Sequence, residues 1–102
     1  MIDLLRRCLE DDDGEAWHEF WTIFQEVVLG SVGKLLLSAG YRRDDVDDVT
    51  MDIYVRLAES HYRRLKTFRG SDLSQLSHWL RRIGVNSARD WLRANLKHRI
   101  RQ

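Results

Sequence analysis

Apolar positions recur at spacings of three and four along almost the whole chain, and no segment sustains a period of two. The pattern therefore predicts helices and no sheet. Ile2 to Glu10 reads as a short amphipathic helix with Leu4, Leu5, Cys8 and Leu9 on one side. Asp11, Asp12 and Asp13 end it, and one of them can cap the next helix, because a carboxylate accepts from the free N–H groups at a helix start. From Gly14 to about Gln25, Ala16, Trp17, Phe20, Trp21 and Phe24 form a stripe that reads as core. Val27 to Ser38 continues the helix. Gly30 and Gly33 weaken it by about 1 kcal/mol each relative to alanine, which predicts a bend nearby. Gly40 is a natural C-terminal stop.

Asp44 or Asp45 opens a third helix running to about Ser60. Val46, Val49, Ile53 and Leu57 line its inner face with Tyr54 alongside, and Asp45, Asp47, Asp48 and Asp52 lie elsewhere around the cylinder. His61 to Ser71 reads as a basic loop ending in Phe68-Arg69-Gly70. A last helix starts between Ser71 and Ser74 and reaches about Lys97, with Leu76, Trp79, Leu80, Ile83, Trp91 and Leu92 as its apolar positions. The expected fold is an all-α, compact bundle of four to five helices. A chain of 102 residues has room for one such domain, over residues 1–102, around one core.

Composition narrows the class. The chain has no proline, six glycines, 43% hydrophobic and 32% charged residues, a soluble profile tilted toward helix. Cys8 is the single cysteine and has no partner for an internal disulfide, which fits a reducing compartment. Two arginines and an aspartate interrupt residues 1–10, unlike a signal peptide. The longest apolar stretch, Val27 to Leu37, is broken by Gly30, Ser31, Gly33 and Lys34 and falls short of the roughly 20 residues a bilayer requires. The expected location is the cytoplasm.

The net charge of +1 conceals a strong asymmetry. Residues 1–60 carry 14 acidic and 6 basic side chains, whereas residues 61–102 carry 2 acidic and 11 basic. Such a chain presents two surfaces of opposite sign, one suited to a polyanion and one to a partner with basic residues; two solvated faces are the plainer alternative.

On the last helix, His78, Arg82, Asn86, Arg89, Arg93 and Lys97 fall within about a third of the circumference at 100° per residue. Arginine and lysine neutralise phosphates, while asparagine can read a base edge with a donor and an acceptor. A solvated helix face fits the same stripe. The preceding loop holds Tyr62, Arg63, Arg64, Lys66, Phe68 and Arg69. Aromatic rings among arginines suit unstacked bases; the alternative is that Phe68 plugs the core. Enzyme chemistry finds little support. His18, His61, His78, His98 and Cys8 show no metal-ligand spacing, residues 44–52 lack the glycine and alternating oxygens of a calcium loop, and no glycine-rich phosphate loop occurs. The chain is expected to be a non-enzyme without metal or cofactor.

The string WLRRIGVNSARDWLR, Trp79 to Arg93, resembles the pattern W-L-x-R-I-A-x-N-x-x-x-D-x-L-R of extracytoplasmic-function sigma factors. Phe68-Arg69-Gly70 is similar to that family's F-R-G. The segment DDVDDVTMDIYVRL, Asp44 to Leu57, is similar to its D-A-E-D-L-V-Q-E-V-F-L-R-L, and GEAWHEFWTIF fits its first long helix. The resemblance covers nearly the whole chain in the right order. It implies region 2 of such a factor: a helical bundle that binds core RNA polymerase and recognises and melts the promoter −10 element.

The resemblance also implies roles. Asp45, Asp47, Asp48, Met51, Asp52 and Arg56 would grip the coiled-coil clamp of the β′ subunit. The loop around Phe68, with Arg63, Arg64, Lys66 and Arg69, would hold a base flipped from the −10 element as single strand. Asn86 and Asp90 would sit near the upstream edge of that element, with Arg82, Arg89, Arg93 and Lys97 along its backbone. An anti-sigma factor is a further implied partner. The sequence departs from the family at Met51, where glutamine is usual, at Ala58, where tryptophan is common, and between Phe68 and Trp79, a segment two residues longer. No −35-reading helix-turn-helix pattern follows before Gln102. The alternative function is a sigma-like interaction module, decoy or regulator, without promoter-opening activity.

Overall fold

The structure, a computed structural model, describes residues 3–11 and 13–101, with side chains described up to residue 96. Helix α1 spans Asp3–Glu10 and buries Leu5 and Cys8; its expected first residue, Ile2, lies outside the described residues. Of the three aspartates that follow, Asp13 is the cap. Its carboxylate accepts from the N–H groups of Glu15 at 3.0 Å and Ala16 at 3.2 Å. Arg7 reaches both Asp13 at 3.7 Å and Glu19 at 3.9 Å, tying α1 to the start of the next helix. Burial pushes the Cys8 thiol up to about 11, and the Asp13 carboxylate adds to the effect, so the thiol stays protonated and unreactive at neutral pH.

Helix α2, Gly14–Ser38, is the axis of the bundle and packs against α1, α3 and α4. It passes Gly30 and Gly33 without a break in its helical backbone. Tertiary packing outweighs the propensity cost: Val28, Val32 and Leu36 around these glycines are fully buried. Helix α2 is long and apolar enough to cross a membrane by length and composition. Here its apolar residues, with Trp17, Phe20 and Phe24, form the core of the bundle. It ends at Gly40, whose φ of +88° suits a left-handed cap; the N–H of Gly40 donates to Leu37 and that of Tyr41 to Leu36, both at 3.0 Å.

Helix α3, Arg43–Tyr62, buries Val46, Val49, Ile53 and Leu57, the expected inner face. Its start is set by Asp45, whose carboxylate accepts from the Arg42 N–H at 3.0 Å. Helix α4, Leu73–Arg101, begins with a reciprocal pair: Asp72 accepts from the Gln75 N–H at 2.8 Å and the Gln75 side chain accepts from the Ser71 N–H at 2.7 Å. Its 29 residues extend about 44 Å at 1.5 Å each, which sets the 48 Å long axis of the molecule. Helices α2 and α4 approach closely at Ser31 and Gly84, where an added Cβ on Gly84 would lie 2.9 Å from the Ser31 Cβ. The described residues hold helices, turns and no strand, and the fold is an all-α bundle.

The segment expected to be a loop is the main departure. Within the C-terminal end of α3 the backbone leaves the helical region at Glu59, and Ser60, His61 and Tyr62 follow with φ of 54°, 55° and 61°. Three successive non-glycine residues in the left-handed region cost roughly 1–2 kcal/mol each. What holds them there is the burial of Tyr62, whose ring lies 5.3 Å from that of Trp17, and of Leu65, fully buried in a single 3₁₀ turn, Leu65–Thr67. Tyr62, read from the sequence as a surface for bases, is therefore part of the core, because its ring completes the aromatic cluster on α2. Replacing Ser60 by glycine removes the Cβ penalty and should raise stability by about 1 kcal/mol, seen as a higher thermal midpoint; Ser60→Ala should give no such gain.

Candidate nucleic-acid interface

Residues of α4 opposite its buried side, Leu76, Leu80, Gly84 and Ala88, are its solvent-facing stripe. His78, Arg82, Asn86, Arg89 and Arg93 are all exposed, as the periodicity predicts; the side chain of Lys97 lies outside the described residues. Arg93 lies 3.8 Å from Asp90, an exposed pair one turn apart. Arg82 and Arg89 have no carboxylate partner among the described residues. Two uncompensated guanidinium groups with an amide between them are the expected electrostatic form of a surface for a polyanion.

Beside the stripe is a groove of about 500 Å³ lined by Phe68, Arg69, Gln75, His78, Trp79 and Arg82, with Thr67 and Ser74 at its edges. Phe68 is neither a full core plug nor a free ring. It is half-buried, its ring centroid 5.5 Å from that of Trp79 at an angle of 53°. It also lies over Gly70: a Cβ added there would meet the Phe68 ring at 2.4 and 2.8 Å. Glycine at 70 admits this close approach, and a side chain there makes the ring shift. Sequence reasoning missed Trp79 and Gln75 as lining residues. The period marks Trp79 as an apolar position of α4, yet at 100° from His78 it sits on the edge of the exposed stripe, half-buried with part of its surface open to the groove.

Arg69, expected to contact DNA, is exposed, and its Nη1 donates to the carbonyls of Lys66 at 2.8 Å and Phe68 at 3.3 Å. It latches the turn that presents Phe68. Lys66 is exposed, as are Arg63 and Arg64.

The expected protein-binding set gathers on α3. Asp47, Asp48, Met51, Asp52 and Arg56 are exposed on one face together with Val55. Met51 and Val55 are 57% and 50% exposed, an apolar pair framed by carboxylates. Arg56 Nε lies 3.0 Å from Asp52 Oδ2 in an exposed ion pair. Asp45, in the same expected set, is half-buried and engaged as the cap of α3. Asp90 is brought to this side: with Asp48, Asp52 and Arg56 it lines a groove of about 380 Å³ between α3 and α4, where negative charge does not favour a phosphate backbone.

Three grooves run in series. The acidic one shares Arg56 with a groove of about 350 Å³ formed by Arg56, Glu59, Ser60, Arg63, Arg64 and Thr67. That one shares Thr67 with the aromatic groove. No protein-family model, curated protein or solved structure matches the chain. The functional reading therefore rests on the residues and their placement.

Because the Phe68 ring is half-buried, Phe68→Ala should lower stability by about 1–2 kcal/mol, short of the 3–5 kcal/mol of a fully buried ring. Gly70→Ala should displace that ring and cost a similar amount by overpacking. Thermal melts of the two variants measure both, and an unchanged midpoint in Gly70→Ala would show that the ring does not rest on Gly70.

Proposed function

We propose that the chain is the region 2 domain of an extracytoplasmic-function sigma factor, a transcription initiation factor domain that binds core RNA polymerase and recognises and melts the promoter −10 element. The observation that carries the reading is the pairing of an aromatic, basic groove at Phe68 and Trp79 with an exposed arginine stripe centred on Asn86. The groove suits an unstacked base and the stripe a duplex edge, so the two together suit DNA at the boundary between paired and melted strands. In this reading α3 supplies the polymerase contact. Its carboxylates frame Met51 and Val55, which suits a basic partner surface with an apolar centre. That apolar pair also supports the second reading, a sigma-like interaction module without promoter opening.

The deciding experiment is capture of core RNA polymerase by the chain, paired with titration of −10 DNA as single strand and as duplex. Polymerase binding together with preference for the single strand supports the initiation factor; polymerase binding without DNA binding supports the interaction module. Reversing Asp48 and Asp52 to lysine should weaken polymerase capture at least tenfold and steepen no DNA term, while far-UV helicity stays intact, since the Asp52–Arg56 pair it breaks is exposed and worth under about 1 kcal/mol.

Asn86→Ala should act differently from loss of an arginine in the stripe. An amide that reads one base edge contributes on the order of 1–3 kcal/mol of discrimination at one position, so its loss should flatten preference there. Arg82→Ala or Arg89→Ala should instead weaken all sequences alike and reduce the salt slope by about one unit. Binding to a panel of single-base variants separates the two, and an equal loss across the panel for Asn86→Ala would leave the stripe as a purely electrostatic face.

A further inference from the structure

The middle groove of the three joins the two expected surfaces, taking Arg56 from the α3 set and Arg63 and Arg64 from the basic loop. Arg63 and Arg64 leave the left-handed turn at Ser60–Tyr62 pointing to solvent, and neither has a carboxylate partner among the described residues. Arg56 enters the same groove from α3. Its Nε is used by Asp52, which leaves the remaining guanidinium donors. The hydroxyls of Ser60 and Thr67 complete the lining; Thr67 Oγ1 donates to the Arg64 carbonyl at 2.7 Å and keeps its lone pairs. One acidic residue, Glu59, shares the groove.

We propose that Arg56, Arg63 and Arg64 form a phosphate-binding pocket. Three guanidinium groups offer planar, forked donors matched to phosphate oxygens, and like charges held around one cavity are relieved by a single anion. Thr67 is common to this pocket and to the aromatic groove, so a nucleotide with its base against Phe68 and Trp79 directs its backbone across Thr67 toward the arginines. The acidic groove beyond Arg56 then ends the strand path. For a backbone phosphate the proposal rests on the functional reading above; for a free phosphate it does not.

The two sources are tested separately on the full chain. First, inorganic phosphate is titrated while the arginine Nε–Hε resonances are followed, with chloride at equal ionic strength as control. The expected result is a saturable shift at Arg63 and Arg64, tighter in Glu59→Gln and lost in Arg63→Gln/Arg64→Gln. Second, a short single strand carrying one neutral methylphosphonate is walked through each linkage. One linkage should cost the natural protein about fivefold in affinity at 0.1 M salt, following a salt slope of about 0.7 per phosphate, and should cost Arg63→Gln/Arg64→Gln nothing. Saturation by phosphate without any strand binding keeps the pocket and removes the strand reading. A single sensitive linkage supports the pocket with the backbone as its source, whether or not free phosphate saturates it. Strand binding in which every linkage counts equally, together with no saturable phosphate shift, overturns the pocket and leaves the strand reading standing; absence of both phosphate and strand binding overturns both.

Discussion

The path of the connection between α3 and α4 turns on the contact between Tyr62 and Trp17. Trp17 sits at the start of α2 with the rings of Phe20, Trp21, Tyr54 and Tyr62 at centroid distances of 5.3 to 6.1 Å. Rings at such separations contribute about 0.5–1.5 kcal/mol per pair beyond their buried area. Only the Tyr62 pair depends on the path after Ala58, and together with the burial of Tyr62 and Leu65 it offsets the cost of three left-handed residues. With Tyr62 inward, Leu65 follows it into the core, the 3₁₀ turn closes, and Phe68 emerges facing Trp79 on α4. Arg69 then fixes the turn from outside through two carbonyls. The aromatic groove is thus held by a chain of contacts that begins at Trp17 on α2.

The charge asymmetry acquires a spatial meaning through the same geometry. The acidic half of the chain meets the basic half along the α3–α4 side, and Arg56 stands at the border, paired to Asp52 on one flank and open to the Arg63–Arg64 groove on the other. Exposed pairs of this kind add little stability, so the distribution of charge is better understood through what it attracts and repels than through what it holds together. Cohesion comes from the apolar core, in which α2 contributes the largest share of buried residues.

The grooves are shallow and share their edges. A ligand that uses them would lie along the surface, in keeping with an extended chain more than with a compact small molecule. Small residues set how close the walls come. Gly70 admits the Phe68 ring, and Gly84 admits Ser31 where α2 and α4 cross.

The hydrophobic period was enough to predict all four helices, the inner face of α3 and the outward stripe on α4, because a helix fixes the angle between residues whatever surrounds it. Asp13 as a cap and Gly40 as a stop were likewise local, decided by groups within four residues. Tertiary structure decided the rest. How far Gly30 and Gly33 would weaken α2 depended on the helices packed around them, and its backbone stays helical through both. Whether Tyr62 would face water depended on an aromatic cluster 45 residues earlier in the chain. Trp79 as a wall of the groove, Asp90 beside Asp48, and Arg56 beside Arg63 are meetings between separate elements. Such meetings depend on how the helices cross, and a one-dimensional period carries each helix's own face but not the angle at which its neighbours arrive.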